Sequence, residues 1–279
     1  GVTVAIVALP LALAFGITSG MGAGPGLITA IVAGLFAAFF GGSNLQVSGP
    51  TGAMAVVLLP IVALYGPSGV LVVGLIAGLI LIALAFAGAG RYMRYIPLPV
   101  VEGFTLGIAI IIALQQVPSA LGYPGEGEKV ALIALSAIQQ WFVSPDLAPV
   151  LIAIGVAASM LLARRFRPGL PVSLVAIAVV TLAVVITGVD VATIGAIPTG
   201  LPAPAIPVIP WGQISALLLP AAAVAALAAL ESLLSATVAD AMSVGERHNS
   251  NRELFGQGIA NLASPLFGGI PATAAIART

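Results

Sequence analysis

Two charges stand where so apolar a chain should carry none. Glu231 lies in AVAALAALESLLSATVAD, with several apolar turns before it and Ser235 one turn on, on the same helical face. A carboxyl group in that setting can take up a proton or coordinate a cation, and intramembrane acids are functional by default. Arg278 closes the stretch ATAAIART. Near a bilayer midplane a guanidinium costs at least about 3 kcal/mol on insertion scales, so it pairs with an acid or waits for an anion. The third feature is uncharged. NLQVSGPTGAMAVVL (44–58) sets Asn44, Gln46, Ser48, Pro50 and Thr51 inside hydrophobic sequence. Pro50 pushes Gly49 toward an extended conformation and is itself suited to the first position of a helix. The stretch therefore predicts extended chain followed by a helix that begins inside the membrane. Such a start offers free N–H groups and a partial positive charge, which suit an anion.

The pattern has an echo. FFGGSNLQVSGPTGAMA (39–55) and LFGGIPATAAIA (266–277) each run from an aromatic-Gly-Gly turn to a proline, Pro50 or Pro271, and then to small residues rich in Thr and Ala. By the same reasoning Ile270 should be extended. Paired Gly/Pro-interrupted segments in two halves of a chain point to a transporter's central site.

The elements that must position these residues follow from composition. Of 279 residues, 60% are hydrophobic and 6% charged, and mean hydropathy is +1.20. Soluble domains carry about 25% charged residues, so this is a polytopic membrane protein. Net charge is zero, which gives no basic field for nucleic acid. There is no Cys, and the single His, His248, lies in a polar loop and cannot form a metal cluster alone. Gly1–Leu9 has no basic region before its apolar run, so it does not read as a cleaved signal peptide, and the abrupt ends suggest a piece of a longer protein.

Apolar runs predict spans at about 2–20, 25–41, 69–90, 96–116, 147–163, 170–188, 213–238 and 254–267, with 46–65 a further segment interrupted at its start. Lys129–Val143 is short and reads as interfacial or as a broken span. Ile197–Trp211 carries five prolines and reads as an extended, extracellular connection. With a cytoplasmic N-terminus, Arg91, Arg94, Arg164, Arg165, Arg167, Arg247 and Arg252 all fall in inward loops, which is seven of the nine basic residues and agrees with the positive-inside rule. Gln115 and Gln116, near the outer end of a span, either line a cavity or simply reach headgroups, and the spacing Gly74–Gly78 suits helix packing.

QVSGPTGAMAVVL, together with ALPLALAFG (8–16), YIPLPVVEGFTLGIAI (95–110) and ANLASPLFGGIPATAAIART (260–279), resembles the sulfate permease family of anion transporters, in a bacterial member. The resemblance spans the whole chain. It implies an all-helical fold of two inverted repeats of seven segments (7+7), with segments one to four and eight to eleven forming a core and the others a gate. The substrate would lie between the half-helices of segments three and ten. On that scheme 1–116 holds the core part of repeat one and segment five, 117–212 the gate segments and the Pro-rich connection, and 213–279 segments eight, nine and the start of ten. The cytoplasmic STAS domain typical of the family would lie outside the chain. The resemblance places the first-segment site aromatic on Phe15, the third-segment half-helix start on Thr51, Gly52 and Ala53, and the tenth-segment pair on Ala277 and Arg278. The eighth-segment acid tied to proton or sodium coupling falls on Glu231, with Ser235 beside it. Leu11 stands where many members have Gln, and Ala277 where many have Ser. Both changes remove hydrogen-bond partners for sulfate and leave a carboxylate, bicarbonate or halide in play.

These features predict a secondary active transporter of a small anion (dicarboxylate, sulfate or bicarbonate), coupled to H+ or alternatively Na+. It would need no cofactor, work by alternating access, and sit in the cell (inner) membrane as a homodimer. The alternatives are an uncoupled exchanger or channel, and a nucleobase-type transporter of the same fold, for which a second intramembrane acid is expected. An intramembrane enzyme is poorly supported, since Cys, embedded His, acid pair and metal-ligand cluster are all lacking.

Overall fold

A computed structural model describes residues 2–95, 98–127, 129–166, 172–243 and 247–275. The apolar runs become nine α-helices among the described residues: α1 (Val2–Thr18), α2 (Ala23–Phe40), α3 (Gly52–Phe86), α4 (Leu98–Leu121), α5 (Val130–Val143), α6 (Leu147–Phe166), α7 (Val172–Thr187), α8 (Ile214–Met242) and α9 (Ser250–Leu266). Helix α3 covers two of the expected segments, 46–65 and 69–90, and is broken between them. Gly66 has φ 67° and ψ −177° in its middle, a conformation open to glycine, and Pro67 favours the extended ψ before it. The first limb, 52–65, is about 21 Å long at 1.5 Å per residue, short of the ~30 Å hydrocarbon core. It is a half-helix, as the sequence predicts.

The described residues form two compact units. One holds the chain up to Pro10 with Glu102–Thr193, and so contains α5, α6, α7 and most of α4. Its α6 starts on a cap, the Ala148 amide donating to Asp146 Oδ1 at 3.0 Å, and the Trp141 indole donates to the Asp146 carbonyl at 2.8 Å. A cavity of about 530 Å³ in this unit is lined by Gln116, Ser119, Asp146 and Asp190 among others. That places Gln116, one of the paired glutamines, at a cavity wall.

The other unit holds Leu11–Val101 and Ile194–Thr279. Here α9 packs against α2, α3 and α8. The packing is close because it runs through glycines. A Cβ on Gly78 would stand 2.8 Å from the Gly258 carbonyl oxygen, and one on Gly74 2.8 Å from Pro265 Cγ. The small-residue spacing is therefore a packing feature. The Pro-rich stretch is extended, and the Ala205 amide donates to the Leu266 carbonyl at 2.7 Å, laying the connection over the C-terminal end of α9. Two short strands, β1 (Ser48–Gly49) and β2 (Thr273–Ala274), pair antiparallel in the register Ser48↔Ala274 and Gly49↔Thr273.

By length and composition, α2, α3 and Trp211–Met242 are apolar enough to cross a membrane, and α1 and α4–α7 contribute shorter apolar stretches. The helix expected at 254–267 forms, yet it is the polar one, with Glu253, Gln257, Asn261 and Ser264 buried along it.

The glycine contacts predict their own mutants. Gly256→Ala would put a Cβ 2.4 Å from the Gly41 nitrogen and 2.5 Å from its Cα. It should abolish or strongly reduce monodisperse protein in size-exclusion chromatography. Gly155→Ala on α6 meets nothing within 4 Å, and should match or slightly raise the wild-type melting temperature.

Candidate functional site

The site is built where the two interrupted segments cross. In the first, Thr51 is the N-cap of α3, with φ −127° and ψ 159°, and its Oγ1 accepts from the Met54 amide at 3.3 Å. Pro50 therefore stands before the cap and not at the first helical position expected for it, because the Thr hydroxyl can close the first turn while Pro offers no side-chain acceptor. Gly52 and Ala53 occupy the first turn, both buried, and helix geometry leaves their amides without an intrahelical carbonyl. In the second segment Pro271 leads into β2, so the chain beyond it starts as strand. Ala277 and Arg278 lie outside the described residues.

Glu231 on α8 receives both segments. The Thr51 hydroxyl donates to its Oε2 at 2.9 Å, and the Thr273 hydroxyl reaches the same oxygen at 2.5 Å. The two hydroxyl oxygens are 3.1 Å apart. Thr51 and Thr273 are 7% and 0% exposed, so these contacts are shielded from water. A threonine has one hydroxyl hydrogen, and here both hydrogens have a carboxylate oxygen to meet. Ser232 holds the same crossing by its backbone and hydroxyl. Gln46 Nε2 donates to its carbonyl at 3.0 Å, and the Ala274 amide donates to its Oγ at 3.1 Å. Ser235 is fully buried one turn further on. Phe15 is half-buried in the last turns of α1, and no described hydrogen bond or ring contact links it to Glu231.

A third partner was not singled out by the sequence. Along α9, Glu253, Gln257, Asn261 and Ser264 are all 2% exposed or less, and their 4-4-3 spacing lays them on one face. Each reaches an interrupted segment. The Gly42 amide donates to Glu253 Oε2 at 2.9 Å, and Gln257 Nε2 donates to Ser48 Oγ at 2.6 Å and to Glu253 Oε1 at 2.9 Å. Asn261 Nδ2 donates to the Ala272 carbonyl and its Oδ1 accepts from the Ala272 amide, both at 2.9 Å. Ser264 donates to the Ile270 carbonyl at 2.8 Å, and the Ile270 amide donates to Thr29 Oγ1 at 2.7 Å. The signal was present in ELFGQGIANLASPL as a polar stripe at helical period. The N-terminal end of α9 is tied to α8 by His248, whose Nδ1 lies 2.7 Å from Asp240 Oδ2 and whose Nε2 lies 3.0 Å from Ser250 Oγ.

Seen with this geometry, comparison with known proteins is decisive. The sulfate permease family model matches residues 1–279. The chain belongs to the sulfate permease family. It is 40% identical over 285 residues to "Putative sulfate transporter YvdB" of Bacillus subtilis, with all of this chain and 54% of that protein covered. It is 34% identical over 295 residues to the bicarbonate transporter BicA of Picosynechococcus, with 100% and 51% covered. The chain thus spans about half the length of the curated relatives it matches. The solved transmembrane domain of a cyanobacterium bicarbonate transporter BicA superimposes with a TM-score of 0.87 at 35% identity, covering all of this chain and 74% of that one. SLC26A9 superimposes with a TM-score of 0.85 at 16% identity over 100% and 48% of the two chains, a likeness of fold alone. The helical inverted-repeat fold expected from the sequence is the fold found.

Glu253 offers a pH test of this family member's α9 row. It sits in the polar first turn, ahead of the apolar run from Leu254. Burial pushes its carboxyl above the ordinary range, and hydrogen bonds from Gln257 and the backbone of Gly42 and Ser43 oppose the shift. An acid with a raised folded pKa costs stability as pH climbs from the unfolded value through the folded one. Glu253→Gln has no such titration, and Gln257 can flip its amide to present Oε1, which has no hydrogen-bond partner in the wild type. The melting temperature of the Gln variant should therefore rise relative to wild type as pH climbs above the ordinary carboxylate range, by about 2–4 °C per ~1 kcal/mol relieved. A difference that is flat or falls with pH would rule out the buried-acid account.

Proposed function

We propose that this chain carries the central site of a proton-coupled secondary transporter of a small anion of the dicarboxylate, sulfate or bicarbonate class. The observation that carries the reading is Glu231 Oε2, which receives a hydroxyl from each interrupted segment. The amides of Gly52 and Ala53 at the start of α3 supply the partial positive charge for an anion, and the family resemblance assigns the full charge to Arg278 and the site aromatic to Phe15. Ser235 supports Glu231 from the next turn. Protonating Glu231 at Oε2 makes that oxygen a donor and a poorer acceptor, which favours turning one of the two threonine hydroxyls to another acceptor. Thr273 has other acceptors within reach, the Thr51 hydroxyl and the Ala274 carbonyl, each at 3.1 Å. The proton is thereby read by both segments that frame the anion, which is what coupling by alternating access requires. The named relatives are transporters, and the 34% identical bicarbonate transporter supports an anion as cargo. The reading places the protein in the cell membrane as a multi-pass homodimer with its N-terminus cytoplasmic, in keeping with the seven arginines of the expected inward loops.

The test uses the full-length protein in proteoliposomes. Uptake of labelled sulfate, bicarbonate, chloride and a dicarboxylate is measured with and without an inward proton gradient, and again with an inward Na+ gradient. One anion should accumulate with the proton gradient. Glu231→Gln should lose gradient-driven accumulation at least tenfold while retaining exchange, and Arg278→Ala should raise the apparent KM for the anion about tenfold or more. Accumulation that follows Na+ alone would change the coupling ion. Undiminished gradient-driven accumulation in Glu231→Gln would remove Glu231 from coupling, and wild-type affinity in Arg278→Ala would sink the anion-site assignment.

A further inference from the structure

The geometry points to Asn261 as a positioning residue that sets which side chain of the second interrupted segment meets Glu231; this rests on the coupling role of Glu231 proposed above. Asn261 is fully buried on α9. Its carboxamide grips one residue by both backbone groups, donating to the Ala272 carbonyl and accepting from the Ala272 amide at 2.9 Å each. This is the two-point contact that a neighbouring strand would make. The second Nδ2 hydrogen goes to the Gln257 carbonyl at 2.8 Å, so the side chain is held at three points and its rotamer is fixed.

The consequence lies one residue on. In extended chain successive side chains face opposite ways, and a slip of one residue exchanges the faces. With Ala272 gripped toward α9, Thr273 pairs with Gly49 and turns its hydroxyl to Glu231. The neighbours on either side, Ala272 and Ala274, have no hydroxyl. A slip in either direction would therefore leave Glu231 with an alanine where Thr273 stands, and the second segment would no longer sense the acid. Ile270 is anchored upstream by Thr29 and Ser264, and Ala274 downstream by Ser232. Asn261 grips the residue adjoining Thr273, between these anchors, and acts on Glu231 only through Thr273.

The test is a double-mutant cycle in the full-length transporter. It uses the same four labelled anions and the same gradients, and reads the midpoint of the dependence of uptake on the driving cation. Thr273→Ala should shift that midpoint about tenfold, and Asn261→Ala about fivefold or more. Asn261→Ala combined with Thr273→Ala should match Thr273→Ala alone within twofold, since a misaimed threonine and a missing one are equivalent. Asn261→Asp keeps the volume but cannot donate to the Ala272 carbonyl. It should behave as the alanine variant, and it carries the cycle if Asn261→Ala does not fold. A merely structural Asn261 would lower uptake at saturating cation and leave the midpoint in place, or its effect would multiply with that of Thr273→Ala; either result overturns the inference while the coupling reading stands. An unchanged midpoint in both Glu231→Gln and Thr273→Ala overturns the two together.

Discussion

Backbone that is neither helix nor sheet cannot sit at membrane depth with its N–H and C=O groups unpaired, since each costs several kcal/mol there. Two stretches of this chain are extended in the middle of a helical unit, and their backbone groups must all be met by protein. The strands β1 and β2 meet part of the need by pairing with each other, and the Ala275 amide adds a bond to the Val47 carbonyl at 2.9 Å. Two strands of two residues cannot meet the rest. Side chains on neighbouring helices do so: Asn261 for Ala272, Thr29 and Ser264 for Ile270, and Ser232 for Ala274. This is why α9 gives up the apolar character expected of a span. It behaves as an internal scaffold whose polar face is covered by the segments it holds, while α2, α3 and α8 pack around it.

The same constraint explains the aromatic-Gly-Gly echo. For a side chain on α9 to reach the backbone of another segment, that backbone must approach closely. Gly41 and Gly42 come so near that a Cβ on Gly42 would stand 2.1 Å from the Asn249 carbonyl oxygen, and Gly269 so near that a Cβ would stand 2.4 Å from Ser264 Oγ. Gly268 adds a left-handed φ of 78° that turns the chain back from the end of α9. The first pair touches α9 at its N-terminal end and the second at its C-terminal end. The repeated motif is thus one solution used twice, bringing two chains to opposite ends of one helix so that they cross near its middle.

What could be read from the sequence was whatever has a local cause. Apolar runs, Gly66–Pro67, Pro50 and the proline-rich 197–211 act on their own neighbourhood, so segment limits, the break in α3 and the half-helix at Thr51 were all legible. Glu231 was legible because an acid with several apolar turns before it needs a reason. The partners of a polar side chain were not, because they depend on which helices pack together. Gln257 and Asn261 read as ordinary polar residues until their stripe faces an extended segment. Ser232 and Ser235 differ by three places on α8, and the sequence favoured Ser235 by its i+4 spacing. Ser232 bonds both interrupted segments, its carbonyl to Gln46 and its hydroxyl to the Ala274 amide.

A site that couples an ion to a solute needs one titratable group that both halves of the machine can feel. On the proposed reading Glu231 fills that role, since a single oxygen, Oε2, lies within hydrogen-bond reach of hydroxyls from chain positions 51 and 273. Placing the acid on either interrupted segment would have bound it to one half. Placing it on a third element, α8, lets its charge set the hydrogen bonds of both at once. The choice of threonine follows from the same need. A hydroxyl can turn its single hydrogen from one acceptor to another without moving heavy atoms, and Thr273 has three acceptors within 3.1 Å. A lysine or arginine at that point would hold the acid ionised, and an alanine would leave it unread. The rigid backbone clamp from α9 and the freely turning hydroxyls are complementary parts: the first fixes where the oxygens stand, and on the proposed reading the second responds to the state of one carboxyl group.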